Sequence, residues 1–483
     1  MKLTLDWLRD HLETDADLAT IVETLTRIGL EVESVSNPGE KLGDFTIARV
    51  ISAERHPQAD KLSLLRVDTG AGDPVQVVCG APNARAGLIG VFAAPGMHIP
   101  GSDLTLKVAE IRGVESRGML CSERELELSD EHEGIIELPE DAPVGEKYAQ
   151  WAGLDDPVVE VAVTPNRQDC MGLRGIARDL AAAGLGALKP LDIPTSDSLG
   201  ESKIEIRTDD SEGCPAFFGR TVSNVVNGAS PEWMRRRLNA VGQRPISALV
   251  DITNYVMLDH GRPLHVYDRT KLSGALVARK AREGESVEAL NGKIYTLDPS
   301  MTVIADDAGV HDIGGIMGGE HSGVTEATTE IVIECAWFDP ASIALTGQKL
   351  GLMSDARARF ERGVDPAFVG PGLAIATRLV LDICGGEASK VIEAGAPPMA
   401  TRTVRYDPGL AARLGGLDIP AAAQKATLEA LGFAVSGEGP FEVTAPTWRR
   451  DIDAAPDLVE EVVRIAGYDH IRSTPLRRAP GVA

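Results

Sequence analysis

The sequence reads as an α+β protein of several domains, and three observations carry that reading. An amphipathic helix with a glycine stop opens the chain, a series of short β-rich segments follows, and two proline-rich links then bracket a long mixed region. At 483 residues the chain exceeds one ordinary core and divides into about three or four domains of typical size.

The first helix is marked by Leu18, Ile21, Val22, Leu25 and Ile28, which recur at helical steps and end at Gly29. From Phe45 to about Gly145 the pattern changes to short runs separated by turn residues: Phe45 to Ile51, Leu62 to Val67, Val75 to Val78, Leu88 to Ala93 and Leu104 to Ile111. Strands of this number and length suit a small closed barrel of the OB type. Val158 to Val163 then leads through Thr164-Pro165-Asn166-Arg167 into a helix carrying Ile176, Leu180 and Ala183. Pairing of that helix with the first makes residues 1–40 and 152–190 one split domain, with the barrel, 41–151, inserted in it.

After the Pro- and Ser-rich link Pro190 to Ser198, a mixed α/β domain is expected over 200–398. Within it, Ser230-Pro231-Glu232 has the form of a helix start, with a capping hydroxyl, proline at the first helical position and an early acid facing the dipole. The link Ala396-Pro397-Pro398 precedes a last domain, 401–475. There, helices near Ala421 to Leu431 and Leu458 to Ala466 flank strands at Ala434-Val435 and Phe441 to Thr444, a winged-helix-like pattern.

Composition narrows the function classes. The formal net charge of -24 opposes polyanions globally, so nucleic acid must be met by local basic patches. Candidates are Arg235-Arg236-Arg237, the group Lys349, Arg357, Arg359 and Arg362, and the tail Arg472, Arg477 and Arg478, although charge clusters are more often solvated faces. The six cysteines lie far apart without a CxxC pair, which suggests neither a zinc ribbon nor a disulfide framework and fits a reducing cytoplasm. No stretch approaches the roughly 18 uninterrupted apolar residues of a membrane span, so a membrane partner is not expected.

Two segments carry chemistry. Arg244 to Asp268 interleaves polar groups with Val, Ile and Leu, and polar groups buried without partners cost roughly 1–3 kcal/mol each, so this stretch is expected to form a pocket wall. The glycine-rich turn Gly314 to Gly323 is followed by Ile331-Val332-Ile333, which delivers Glu334 and Cys335 at a strand end. A bare backbone beside a carboxylate suits a bound small molecule, while a tight hairpin uses the same glycines. Asp451, Asp457, Glu460 and Glu461 fall at the spacing of one helix face and the loop before it, which suits either magnesium or a solvated acidic helix start. The barrel contains only Phe45 and Phe92 as aromatics between Leu42 and Lys147, too few to stack bases in the usual single-strand mode, so packing or weak RNA contact is the expected role.

Several separated blocks agree with one family. They are Ala59-Asp60-Lys61-Leu62, Val78-Cys79-Gly80-Ala81, the run Arg112 to Glu123, Thr164-Pro165-Asn166-Arg167 and the run Leu458 to Tyr468. Together with the pocket segments they resemble the β subunit of bacterial phenylalanine-tRNA ligases, across essentially the whole chain and in that family's domain order. The family pattern continues into a catalytic-like and a C-terminal anticodon-binding domain, which do not follow Ala483, so this chain is expected not to aminoacylate alone.

The resemblance implies that the mixed domain is an editing domain, hydrolysing tyrosine wrongly esterified to tRNA(Phe). A hydrophobic synthetic pocket rejects an isostere with one added hydroxyl by only about 100-fold, so a second site must read that hydroxyl. On this reading Glu334 senses the phenol and His265 shares that contact or orients water. Gly315 and Gly318 admit the substrate to the backbone, Ala356 limits depth, Arg244 meets the tRNA end or the ester region, and Ser354 stands where the family more often has threonine. The resemblance further implies an α subunit as partner in an α2β2 assembly, ATP used by the complete enzyme, and a magnesium ion at Asp451, Asp457, Glu460 and Glu461 shared with that subunit. The alternatives are a noncatalytic tRNA-binding or assembly scaffold with an inactive pocket, and a free-standing hydrolase of another ester.

Overall fold

The computed structural model describes residues 1–195, 198–400 and 402–472. Two compact units divide the chain: Val35–Val158 is one, and Met1–Ser34 with the residues from Val159 onward is the other. Arg477 and Arg478 of the basic tail lie outside the described residues.

The unit Val35–Val158 is built on a five-stranded antiparallel sheet in the order Met119–Leu120, Ile89–Ala93, Thr46–His56, Ala59–Asp68, Val75–Cys79. The sheet nearly closes. The Arg117 amide donates to the Gln76 carbonyl at 2.8 Å and the Val78 amide donates to Ser116 Oγ at 3.0 Å, linking the two edges. Ala48, Val50, Leu65, Val67, Val77 and Phe92 pack together on one face of the sheet, and Ile47, Ile89 and Val91 pack on the other. Four of the five expected strands appear at their places, but the fifth barrel strand is Met119–Leu120. Leu104 to Ile111 divides instead between two small hairpins, Leu104–Thr105 with His98–Ile99 and Ala109–Ile111 with Val114–Ser116. Leu104 and Val108 remain half exposed, whereas Leu120 and Cys121 are buried, so burial favours the later segment as the barrel strand.

In the other unit, helix Leu18–Arg27 starts with Asp17 accepting from the Thr20 amide at 2.9 Å and stops before Gly29, whose φ of 87° suits glycine. Ile21 and Leu25 face helix Leu173–Ala182, which buries Ile176 and Leu180.

Residues 200–398 form two five-stranded sheets. One runs Ile206–Thr208, Leu276–Lys280, Thr302–Ala305, Val310–Ile313, Met317–Gly318; only its first pair is parallel. The other runs His265–Asp268, Glu330–Trp337, Ala216–Ser223, with Glu387–Ala388 and Ile392–Gly395 both pairing to Ala216–Ser223. Helix Pro366–Cys384 is long and apolar enough to cross a membrane, but Leu373, Ala376 and Val380 are buried, and its Val369–Cys384 part packs on strand Glu330–Trp337 and helix Ala248–His260.

The stretch Arg244 to Asp268 is mostly a core helix, Ala248–His260, and only its last part reaches a cleft. Two of its buried acids are bonded inside the protein. Asp251 accepts from Ser230 Oγ at 2.5 Å and from the Ile246 amide at 2.8 Å; Asp259 accepts from Trp7 Nε1 at 2.8 Å and pairs with His11 at 2.6 Å. Ser230 is therefore not the expected helix cap: Pro231 holds the cap position of helix Glu232–Ala240 without a side-chain bond.

The C-terminal segment places strands Thr403–Tyr406, Phe441–Thr444 and Ala434–Ser436 in one sheet beside helices Gly409–Gly415, Ala421–Ala430 and Ala455–Ala466. The first of these strands was not visible as a pattern in the sequence.

A buried ion network ties this segment to helix Leu173–Ala182. Arg464 contacts Asp179 at 2.8 Å and Glu461 at 2.9 Å, Arg167 contacts Asp179 at 2.8 Å and Asp169 at 3.0 Å, and Arg449 pairs with both Asp451 and Glu461. Burial opposes ionisation of Asp169 and Glu461, but the guanidinium groups outweigh it and hold Asp169 at about 2 and Glu461 far below the usual carboxylate range. Arg464→Met leaves two buried carboxylates short of a cation and is expected to cost about 3–5 kcal/mol in denaturant unfolding. Arg378→Ala, which breaks the exposed pair with Asp382, is expected to cost under about 1 kcal/mol.

Candidate functional site

Strand register builds the site. His265 lies directly opposite Glu334, and Gly219 flanks Glu334 on the other side, in an antiparallel ladder where paired residues share a face. The second sheet brings Asp312 on strand Val310–Ile313, paired with Gly318. A cleft of about 70 Å³ is lined by both sheets, with His265, Asp312 and Glu334 at its polar end and Ile304, Phe338 and Phe360 among its apolar walls. About 10–15 Å³ suffices for one water, so the cleft as it stands has room for a few waters or a small group.

The polar end is one connected chain. The Tyr267 hydroxyl touches Asp312 Oδ2 and lies 2.7 Å from Glu334 Oε2, while Asp312 Oδ1 accepts from the Gly319 amide at 2.9 Å. A phenol has a single proton to donate. With that proton given to Asp312, Glu334 must carry its own, and the electrostatics agree: burial, then the Asp312 charge, push Glu334 up to about 8 against the opposing bond from Tyr267. Glu334 Oε1 has no hydrogen-bond partner among the described residues and is the oxygen left for a ligand. His265 packs edge-on to Tyr267 at 4.5 Å between ring centroids, and its Nε2 is buried without a hydrogen bond among the described residues, 3.8 Å from Asp312 Oδ2.

Of the residues expected here, His265, Glu334, Gly315, Gly318 and Ala356 line the cleft. A side chain at Gly318 would meet His265 Cε1 at 2.6 Å, and one at Gly315, whose φ is 68°, would meet Phe338 at 2.7 Å. Ser354 stands behind the wall: its Oγ donates to the Ile316 carbonyl at 2.6 Å and accepts from the Arg357 amide at 3.0 Å, capping helix Asp355–Phe360. Arg244 is exposed on the loop before helix Ala248–His260 and does not line the cleft. Sequence reasoning missed Asp312 and Tyr267. Asp312 carries the signal that marked Glu334, an acid in an apolar run beside the glycine turn.

The expected magnesium set does not assemble. Both oxygens of Glu461 are held by guanidinium groups, Asp451 is paired with Arg449 at 2.9 and 2.7 Å, and Asp457 accepts from the Asp453 and Ala454 amides at 2.8 Å. Glu460 alone is exposed. Neighbouring residues on a helix point about 100° apart, which sends Glu461 inward and Glu460 outward. The carboxylates committed to arginine do not fit a hard cation as they stand.

The basic groups are also largely committed. Arg235 pairs with Glu232, Arg237 with Asp10, Lys349 with Asp298 and Arg357 with Glu361, while Arg359 is buried. Phe45 and Phe92 are buried in the barrel, so neither offers a stacking surface. All six cysteines are free thiols and buried.

Three family profiles match the chain: "B3/4 domain" over residues 213–385, which contains the cleft, "Putative tRNA binding domain" over 45–147, and "tRNA synthetase B5 domain" over 404–468. The phenylalanine–tRNA ligase beta subunit of Zymomonas mobilis is 59% identical over all 483 residues, and that of Novosphingobium aromaticivorans is 60% identical over the same length. The chain spans 61% and 60% of those two relatives. Among solved structures, an N-terminal fragment of the phenylalanyl-tRNA synthetase beta subunit from Pyrococcus horikoshii is 16% identical, with 65% of this chain and 88% of that one covered at a TM-score of 0.35, too low to bear on the fold. By its full-length identity to the bacterial relatives and its three matched domains, the chain belongs to the phenylalanine-tRNA ligase beta-subunit family.

Proposed function

We propose that the cleft at Glu334 edits mischarged tRNA, hydrolysing the ester between tyrosine and tRNA(Phe), in an assembly whose α subunit performs ATP-dependent aminoacylation. The observation that carries this reading is Glu334 Oε1, a free carboxyl oxygen at the end of an apolar cleft. The barrel would contribute tRNA contact, in keeping with the profile that matches it. Such an assembly works in the cytoplasm, where its tRNA is charged.

The chemistry follows from the proton chain. Protonated Glu334 donates through Oε2 to the Tyr267 oxygen, Tyr267 donates to Asp312, and Oε1 is left as an acceptor for the incoming phenol. Phenylalanine, lacking the hydroxyl, leaves that buried oxygen without a partner, an unmade bond costing about 1–3 kcal/mol. His265, opposite Glu334 and packed on Tyr267, shares the phenol end of the cleft, and a water adds to the ester carbonyl at the other end of the tyrosine. The carbonyl carbon to ribose oxygen bond then breaks, the ribose oxygen takes a proton, and free tyrosine and intact tRNA result.

Glu334→Ala and His265→Ala, assayed in the assembled enzyme, are each expected to slow deacylation of tyrosyl-tRNA(Phe) by about 10- to 100-fold with aminoacylation retained. Unchanged deacylation in both would contradict the reading.

The raised Glu334 carboxyl also has a stability signature. Between its ordinary value of 4.5 and about 8, the folded chain holds a proton that the unfolded chain has released, so stability declines as pH rises through that window. Glu334→Gln removes the titration. Compared by urea unfolding at pH 5 and pH 8, the parent is expected to lose stability relative to the variant by a few kcal/mol at most; parallel profiles would show that Glu334 is ordinarily ionised.

A further inference from the structure

A second cavity, of about 240 Å³, opens between helix Leu173–Ala182, the end of helix Ala248–His260 and the loop at Trp448. None of its lining residues belongs to the Glu334 cleft. One wall is apolar, with Leu188, Leu191, Val364 and Phe368. Three other lining residues, Arg178, Trp448 and His260, carry buried polar atoms without a hydrogen-bond partner among the described residues, Nη1, Nε1 and Nδ1 in turn, and the His260 ring packs on Phe368 at 5.3 Å between centroids. Such atoms are rare in folded proteins, because each forfeits its hydration on burial. Three around one cavity point to a missing group.

The character of that group follows from the atoms. Arg178 lies over the Trp448 ring at 4.2 Å, which stacks the guanidinium on the indole face. Both are donors only, so they call for an anionic acceptor. Arg178 is 3.7 Å from Asp169, but Asp169 already takes two bonds from Arg167 at 3.0 and 3.1 Å. Arg174, also in the lining, has no carboxylate within ion-pair distance among the described residues; it donates to the Lys189 carbonyl at 3.0 Å and stands 3.4 Å from His11 Nδ1. Asp365 is the cavity's other acid, and its Oδ1 accepts from the Ala367 amide at 2.9 Å.

His260 differs in kind. Its side chain is only 6% exposed, its Nε2 lies 3.2 Å from Asp259 Oδ2, and burial lowers its pKa despite that acid. A neutral ring with its proton on Nε2, the nitrogen facing Asp259, leaves Nδ1 as a bare acceptor. A ligand must therefore bring an anion for Arg178 and Trp448 and a hydrogen-bond donor for His260.

We propose that this cavity is a binding site for a small carboxylate that carries a donor group on the neighbouring carbon and an apolar side group, the shared chemistry of 2-hydroxy and 2-amino acids. The carboxylate meets Arg178 Nη1 and Trp448 Nε1, the 2-substituent donates to His260 Nδ1, and the apolar group lies against Leu191 and Phe368.

Calorimetric titration of the full chain with 4-methylpentanoate, 2-hydroxy-4-methylpentanoate, leucine and inorganic phosphate tests this. The hydroxy acid, the amino acid or both are expected to bind about tenfold tighter than the unsubstituted acid, and which of the two does so identifies the donor. Trp448→Phe, which keeps a ring and removes the N–H, and Arg178→Gln are each expected to weaken that binding about tenfold, with far-ultraviolet circular dichroism unchanged to show that the variants fold. Absence of binding by every 2-substituted acid, binding of phosphate as tight as theirs, or binding indifferent to both substitutions would overturn the site.

Discussion

Everything at the Glu334 cleft depends on one constraint, the register of strand Glu330–Trp337 between His265–Asp268 and Ala216–Ser223. A slip of one residue would turn Glu334 to the opposite face, since strand side chains alternate. In the observed register, Ile331, Ile333 and Cys335 bury completely around it, and the carboxyl is carried into the protein by the apolar residues on either side. The burial that makes Glu334 costly as an anion is therefore a product of core packing, and the same packing sets Tyr267 and Asp312 against it.

Two polar solutions coexist in this unit. At the ion network, buried acids are matched by arginines and stay ionised well below their usual range. At Glu334 the neighbouring charge is another acid, Asp312, and the carboxyl goes up to about 8 instead. The first arrangement joins segments distant in sequence, Arg167 and Asp179 with Arg449, Glu461 and Arg464. The second leaves a carboxyl oxygen unsatisfied and a histidine nitrogen unpaired. Matched charges stabilise, whereas unmatched polar atoms beside a cleft are available to a ligand.

The parts legible in the sequence were those written in local pattern. The first helix announced itself through Leu18 to Gly29, four barrel strands through their apolar runs, and Glu334 as an acid closing an apolar run after a glycine turn. What escaped was nonlocal. Leu104 to Ile111 looked like a barrel strand, but only tertiary burial reveals that Leu120 enters the barrel and Leu104 does not. Ser230 had the form of a cap, yet a carboxylate on the following helix, Asp251, claims its hydroxyl. The spacing of Asp451 to Glu461 suited either a magnesium ion or a solvated acidic helix start, but Arg449 and Arg464 neutralise Asp451 and Glu461. Asp312 lay in a run too short to attract notice, and its meeting with Glu334 is made by two different sheets.

The central claim is that Glu334 Oε1 receives a phenolic hydroxyl. A crystal structure of the protein with a non-hydrolysable amide of tyrosine and 3′-aminoadenosine tests it most directly. The expected result is the tyrosine ring in the cleft between Phe338 and His265, with its oxygen within hydrogen-bond distance of Glu334 Oε1. A ring bound elsewhere, or seated in the cleft with its hydroxyl turned away from Glu334, would contradict it.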